Sequence, residues 1–217
     1  MSATSSPHKF EDAAYTEEWV AYNEKQYPQR AVFIEEFVRT LKLQDGALRV
    51  LELGGGAGRL AEAIQQECHV DSYDLLDSSP AMQRLARTRL SSSKVTQLIK
   101  ADFSDAKWPD LVSSEYDAVV TMQAIHELRN PAAVPLLYGQ IATVARPGAS
   151  VVVCDHLPVE PRHRGLYMPP SAHLAAMAAG GLANAEIIRV SDAMVLVRGE
   201  VTAARPDADG LFFWSRA

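Results

Sequence analysis

Short apolar runs alternate with longer stretches of helical spacing along most of this chain. Residues 50–53, 70–76, 95–100, 116–122 and 150–155 are rich in Val, Leu, Ile and Tyr and are bounded by turn residues, as buried strands are. Helical stretches lie between or after them, at 59–67, from Ser79-Pro80 to Leu90, from Asn130-Pro131 toward Ala145, and at 171–179. Ser79 reads as an N-cap and Pro80 as a first helical residue; Pro135 distorts the start of its helix, and Arg146-Pro147-Gly148 closes it. Residues 186–190 and 193–197 form a hairpin joined at Ser191-Asp192. Two helices precede the sheet. One covers 16–27, with Thr16 as N-cap and Glu17 and Glu18 in the first turn. The other starts at Pro28, carries Phe33, Ile34, Phe37, Val38 and Leu41 on one face, and ends at Asp45-Gly46. Strand–helix alternation of this kind predicts an α/β fold: a doubly wound, mostly parallel sheet with helices on both faces and one antiparallel strand from the hairpin.

The first strand carries the chemistry. It runs into Gly54-Gly55-Gly56-Ala57-Gly58-Arg59, with Gly54, Gly56 and Gly58 at alternate positions and a helix behind them. Glycines let a ligand approach the backbone, and the helix start directs free N–H groups at the turn. A dinucleotide fingerprint places its third glycine where Arg59 stands. Glu52, two residues before the turn, suits a cationic ligand better than one bearing phosphates. On this turn alone, a nicotinamide or flavin site and a tight turn with no ligand stay open. Asp77 follows 19 residues beyond Gly58 at a strand tip, where a carboxylate can take both hydroxyls of a ribose or cap the next helix. Asp74, inside the strand, is its rival. Asp102-Phe103 ends the third strand and offers an acceptor beside a ring.

The stretch 50–60 resembles motif I of the class I S-adenosylmethionine-dependent methyltransferases. Leu76-Asp77-Ser78-Ser79-Pro80-Ala81-Met82 resembles the family's second motif, and Ala145-Arg146-Pro147-Gly148 with the strand after it resembles its end-of-helix turn. The resemblance runs over about residues 48–200 and, with the acidic Asp102 after the third strand, rests on four matches in order. It implies a Rossmann-like sheet of seven strands and S-adenosylmethionine as cofactor. Glu52, Gly54, Gly56, Gly58, Asp77, Ser78, Asp102, Phe103 and Gln123 then gather at one crevice, with the acid at Asp102 facing an adenine amino group. The implied chemistry is in-line methyl transfer, in which the protein mainly positions the partners. Candidate bases are His126 and His156; Glu127 and Asp155 orient them or bind a cationic acceptor. Tyr15, Trp19 and Tyr22 place aromatics on an N-terminal helical lid, and Tyr167 lies on the loop 156–170, which holds Pro158, Pro161, Pro169 and Pro170 with Arg162, His163 and Arg164.

The expected organisation is a tail and lid over 1–45, a methyltransferase domain over 46–200, and a tail over 201–217 whose apolar end, Leu211-Phe212-Phe213-Trp214, docks on its own domain or on a second copy as a homodimer. Residues 1–9 read as disordered. Formal net charge is −6 over 217 residues, and the basic residues are scattered, with Arg84, Arg87 and Arg89 as a solvated helix face; this disfavours nucleic acid. The Asn-Pro-Pro-aromatic tetrad of amino-methylating nucleic-acid enzymes is replaced by Thr121-Met122-Gln123-Ala124, so a small-molecule methyl acceptor is the expectation. Cys68 and Cys154 suggest free buried thiols in a reducing compartment, and no His, Cys or carboxylate spacing suggests a metal. With no apolar run of membrane length and no leader, a cytoplasmic protein that needs no membrane is expected. Two other readings remain: a cofactor-binding domain that acts through a partner without catalysis, and a NAD(P)-dependent oxidoreductase.

Overall fold

A computed structural model describes residues 9–159 and 165–202. The expectations for the first eight residues, for Pro161, Arg162, His163 and Arg164, and for the apolar C-terminal end lie outside the described residues. Helices α1 (Ala13–Gln26) and α2 (Arg30–Lys42) lead into β1 (Leu48–Leu53), α3 (Arg59–Glu67), β2 (Val70–Asp77), α4 (Pro80–Arg89) and β3 (Thr96–Lys100). Then follow β4 (Tyr116–Met122), α5 (Val134–Val144), β5 (Ala145–His156), α6 (Pro170–Ala179), β6 (Leu182–Val190) and β7 (Met194–Val201). The seven strands form one sheet in the order β3-β2-β1-β4-β5-β7-β6. All neighbours are parallel except that β7 runs antiparallel to both β5 and β6. Strand order reverses between β1 and β4, which opens a crevice beyond their carboxyl ends.

The two-residue period of a strand divides the core into two layers. Val50, Tyr73, Leu75, Ala118, Val120 and Val152 pack against α2, α3 and α4, while Leu51, Leu53, Leu76, Val119, Val151 and Val153 pack against α5 and α6. Phe33, Phe37 and Leu41 of α2 are fully or nearly fully buried, and burial of each contributes about 1.5–3 kcal/mol. This fixes the N-terminal segment to the sheet beside the first glycine turn. Glu52 falls on the α2–α3 face with Val50, so its carboxyl group is enclosed near the end of that layer.

Several local boundaries differ from those the sequence predicts. Helix α1 starts at Ala13 with Asp12 as N-cap, its side chain accepting from Tyr15 N at 3.2 Å. Thr16 is buried in the first turn, where its hydroxyl donates to Asp12 O at 2.6 Å; the hydroxyl that suits a cap is used within the helix instead. Pro28 lies in the turn before α2, which starts at Arg30. Asn130 caps a short 3-10 turn, Pro131–Ala133, and α5 begins after it, so that Pro135 sits in a first turn where its missing N–H costs nothing. Arg146-Pro147-Gly148 belongs to β5 as an irregular start, because pairing with β4 jumps from Tyr116↔Ala145 to Ala118↔Ser150. Arg89 is not part of a solvated face: it pairs with Glu24 at 2.6 Å and so ties α1 to α4. Cys68 and Cys154 are free thiols. No helix among the described residues is long and apolar enough to cross a membrane.

Candidate active site

At the end of β1 the chain turns through five residues into α3. Gly54 N and Gly55 N both donate to Leu76 O, at 2.8 and 3.1 Å, which ties the turn to the end of β2. Gly54 has φ +67, and a Cβ there would stand 2.4 Å from the Cβ of Ala124 on the neighbouring loop. Gly56 has φ +52, and a Cβ there would point into open space, with only Met82 Sδ at 3.9 Å. The first glycine is needed for packing and the second keeps the cavity floor at backbone height.

Asp77 lies at the last position of β2 and fastens two loops together. Its Oδ2 accepts from Gly56 N and its Oδ1 from Ser79 N, both at 2.8 Å. Burial pushes its pKa above the ordinary value against the pull of these two N–H groups. Ser79 caps α4 through Met82 N and donates from Oγ to Phe10 O, which brings the segment before α1 to the same place. Asp74, the rival, is buried within the sheet and accepts from the Tyr116 hydroxyl. Glu52 is 2% exposed, and Tyr73 OH donates to its Oε2 at 2.8 Å. Burial raises its pKa from the ordinary 4.5 to about 8, with the Tyr73 bond opposing and Asp77 adding to the rise.

These groups open on one cavity of about 740 Å³. Of the residues expected at the cofactor, Glu52, Gly54, Gly56, Asp77 and Ser78 line it, as do Asp102, Phe103 and Gln123. Gly58 does not: its Cα faces α4, where a Cβ would meet Leu90 at 3.1 Å and Ala86 at 3.3 Å, so it is a packing residue at the start of α3. From α1, Trp19 and Tyr22 reach the cavity and Tyr15 does not. Trp19 packs edge-on against Phe10, with ring centroids 4.9 Å apart.

The far end of the cavity is built by the loops after β4 and β5. Gln123 takes a left-handed conformation, φ +56, that turns the chain sharply out of β4; its N–H donates to Cys154 O at 2.7 Å. Its side-chain amide donates to His156 Nε2 at 2.8 Å. His126 Nδ1 lies 2.6 Å from Asp155 Oδ1, and Asp155 Oδ2 accepts from His126 N at 2.9 Å. His126 Nε2 points the other way and is 3.6 Å from Glu127 Oε1. The rings of His126, His156 and Tyr167 stand within 5.0–5.4 Å of one another. Burial works to lower the pKa of His126, but the charge and hydrogen bond of Asp155, with Glu127, outweigh it and hold it raised. Burial works to raise Asp155, and the same contacts with His126 and His156 hold it below the ordinary carboxylate value. Asp155 therefore does not line the large cavity; it sits beneath His126 as an ionised support. His126, Glu127, His156 and Tyr167 do line it.

Among the cavity residues that the sequence reading did not assign to the site are three cations. Arg30 and Arg59 are the first residues of α2 and α3, and Arg129 follows Glu127. Arg30 Nε, Arg59 Nη1 and Arg129 Nε are buried without a hydrogen-bond partner among the described residues. Arg30 and Arg59 both line the cavity, and burial with the charge of Arg59 depresses the pKa of Arg30. A cation in the first turn of a helix opposes the helix dipole. That misplacement, twice over, is the signal that could have found them. Among the described residues, no group of three His, Cys, Asp or Glu is arranged to hold a metal ion.

A parallel sheet with a glycine turn, a strand-end acid and a cavity at its switch point defines the class: a nucleotide-type binding fold of the doubly wound kind. Residues 50–148 match the family model described as a methyltransferase domain. In sequence, the chain is 30% identical over 112 residues to the highly reducing polyketide synthase frbB of Dothideomycetidae sp. (strain 11243), a match that covers 48% of this chain and 4% of the synthase. In structure, it resembles the CurJ carbon methyltransferase at a TM-score of 0.62 and 11% identity, over 72% of this chain and 49% of that one. It also resembles the N-methyltransferase NodS from Bradyrhizobium japonicum WM9, solved with S-adenosyl-L-homocysteine, at a TM-score of 0.62 and 16% identity, over 76% of this chain and 84% of that one. The chain thus spans about half the length of the CurJ carbon methyltransferase chain and a small part of the synthase.

Proposed function

We propose that this protein transfers a methyl group from S-adenosylmethionine to a small-molecule acceptor, with residues 46–200 as the methyl-transfer unit, residues 1–45 as its cover and His126 as general base. The observation that carries this reading is the joining of two sites in one cavity: the Gly54–Asp77 cradle at one end and the His126–Asp155 pair at the other. Its volume of about 740 Å³ is in the range of pockets that hold small ligands.

The residues present suit the cofactor. The unpartnered N–H groups of Arg30 and Arg59 match a carboxylate, Glu52 matches an ammonium group, Asp77 a ribose diol, and Asp102 beside Phe103 an adenine. When bound, S-adenosylmethionine supplies a methyl group on a sulfonium, which is electrophilic and leaves a neutral thioether. The chain's own residues align the acceptor and remove its proton. His126 Nδ1–H donates to Asp155, so the Nε2 lone pair faces the cavity. His156 is the weaker candidate, because its Nε2 already accepts from the Gln123 amide. Trp19 and Tyr22 of α1 with Tyr167 give the acceptor an apolar and aromatic enclosure. The net charge of −6 favours a small molecule over a nucleic acid. Arg59 in the cavity, at the position of the third glycine of a dinucleotide turn, speaks against a NAD(P) site. An acceptor screen that measures S-adenosylhomocysteine release tests the reading: turnover with a small molecule supports it, and tight cofactor binding without turnover on any acceptor class favours the non-catalytic alternative.

Two further results are expected. Asp77→Ala weakens S-adenosylhomocysteine binding by about 1.5–3 kcal/mol, through loss of charge-assisted hydrogen bonds, whereas Asp74→Ala lowers the melting temperature and leaves affinity unchanged; the reverse pattern in calorimetry contradicts the assignment. Cofactor binding at neutral pH also releases a proton from Glu52. With a folded pKa of about 8, Glu52 is protonated in the free protein at pH 7, and a bound ammonium group draws out its charged form. Its folded pKa lies above the unfolded value, so its contribution to stability declines as pH rises from about 4.5 to about 8. Calorimetry in buffers of different ionisation enthalpy reads the released proton directly. The buffer dependence is expected to vanish in Glu52→Gln; its absence in the wild type contradicts the assignment.

A further inference from the structure

A second, much smaller cavity, of about 10 Å³, lies against the same pair of residues. Its walls include His126 and Asp155, Arg129 from the loop after β4, and His173 from the first turns of α6. His173 is 1% exposed, and neither ring nitrogen has a hydrogen-bond partner among the described residues. Arg129 Nε, on the same wall, is a buried donor without a partner. The acceptor side is equally open. Asp155 Oδ1 takes two N–H groups, from His126 Nδ1 at 2.6 Å and His156 N at 2.7 Å, whereas Oδ2 takes one, His126 N at 2.9 Å. A carboxylate oxygen has room for a further donor.

Each such group is destabilising if left unpartnered. Buried polar groups in folded proteins are met by protein or by ordered water, and a cavity of about this volume is at the size of a single water. We propose that this small cavity holds one structural water that accepts from His173 and Arg129 Nε and donates to Asp155 Oδ2, and that through it His173 is a positioning residue for the His126–Asp155 pair. One molecule then satisfies three groups, within the two to four partners a buried water ordinarily has. Burial keeps His173 neutral, its pKa lowered despite the attraction of Asp155, so one ring nitrogen carries the N–H that the water needs. The water spreads the charge of Asp155, which otherwise rests on His126 and the backbone N–H of His156. Without it, His126 is pulled toward the imidazolium, which cannot accept a proton. The catalytic consequence rests on His126 as base; the water link itself does not.

The test is a titration of His126 in the full chain labelled with 15N-histidine, followed by two-bond proton–nitrogen correlation in the wild type, His173→Phe and His173→Gln. It needs no acceptor, so failure of the methyl-transfer reading leaves it standing, and failure of the water link leaves that reading standing. The other groups facing His126, namely Asp155 and His156 on β5, Glu127 and Arg129 after β4, and Tyr167 before α6, are the same in all three proteins. Phenylalanine fills the cavity with an apolar ring, and the pKa of His126 is expected to rise by about half a unit or more; glutamine keeps a donor and is expected to restore the wild-type value. An unchanged His126 titration in folded His173→Phe overturns the proposal, as does a glutamine variant that behaves like phenylalanine. If His173→Phe does not fold, a high-resolution crystal structure of the wild type decides: density for a water between His173 and Asp155 supports the link, and a cavity without it overturns it.

Discussion

Gly56→Val is expected to lower the affinity for S-adenosylhomocysteine by at least about a hundredfold, the largest effect of any single substitution at the cofactor end. Gly56 sits at φ +52, where an L-residue is strained by about 1–2 kcal/mol and a β-branched one by more. Its Cβ direction leads into the cavity, with Met82 Sδ at 3.9 Å as the nearest obstacle, so both methyl groups of valine would occupy ligand space. The backbone cannot easily turn away, because Gly56 N is held by Asp77 Oδ2 at 2.8 Å. Calorimetric titration of the folded variant, with its fold checked by circular dichroism, reads the effect. Affinity equal to the wild type means that the ligand does not lie over this turn.

At the other end, Asp155→Asn is expected to lower kcat by about 10²- to 10⁴-fold, the range of a lost general base, with little change in cofactor affinity. Asparagine keeps the size but only one acceptor oxygen, and because His126 N and His156 N use different oxygens of Asp155, only one of the two N–H groups is still met. It removes the charge that holds His126 raised, and its NH₂ can donate to Nδ1, which would move the proton to Nε2 and leave no lone pair toward the acceptor. In the wild type the rate rises as pH climbs through the raised pKa of His126, because only the neutral ring accepts a proton. In Asp155→Asn that limb moves to lower pH as the rate falls. Equal kcat at saturating acceptor removes the pair from catalysis.

The fold was legible because its strands differ sharply from what flanks them. Val50, Leu51 and Leu53 end in glycine, and β4 carries the β-branched run Val119-Val120-Thr121. Strand β6 was read as starting four residues late, since Leu182-Ala183-Asn184-Ala185 has no β-branched residue and is held by its pairing with β7 and the burial of Leu182. Asp77 was legible from position alone, but its bond to Gly56 N joins residues 21 apart and has no trace in local pattern. Arg30 and Arg59 look like ordinary surface cations in the sequence; what makes them a pair is that both line one cavity, where the charge of Arg59 acts on Arg30. His173 lies in an alanine-rich helix with nothing near it in sequence to suggest a role, and its relation to Asp155 arises only when α6 folds back against β5's end. Tyr15 and Tyr22 are seven residues apart on α1 and share a face, yet only Tyr22 reaches the cavity, because about 10 Å of helix axis separates them.

The measurement that tests the central claim most directly is calorimetric titration of the protein with S-adenosylhomocysteine, with NADH in parallel. One-site, micromolar binding of S-adenosylhomocysteine and none of NADH is the expected result. Binding of NADH alone would contradict the assignment of the glycine turn, Glu52 and Asp77 to a methyl-donor cofactor.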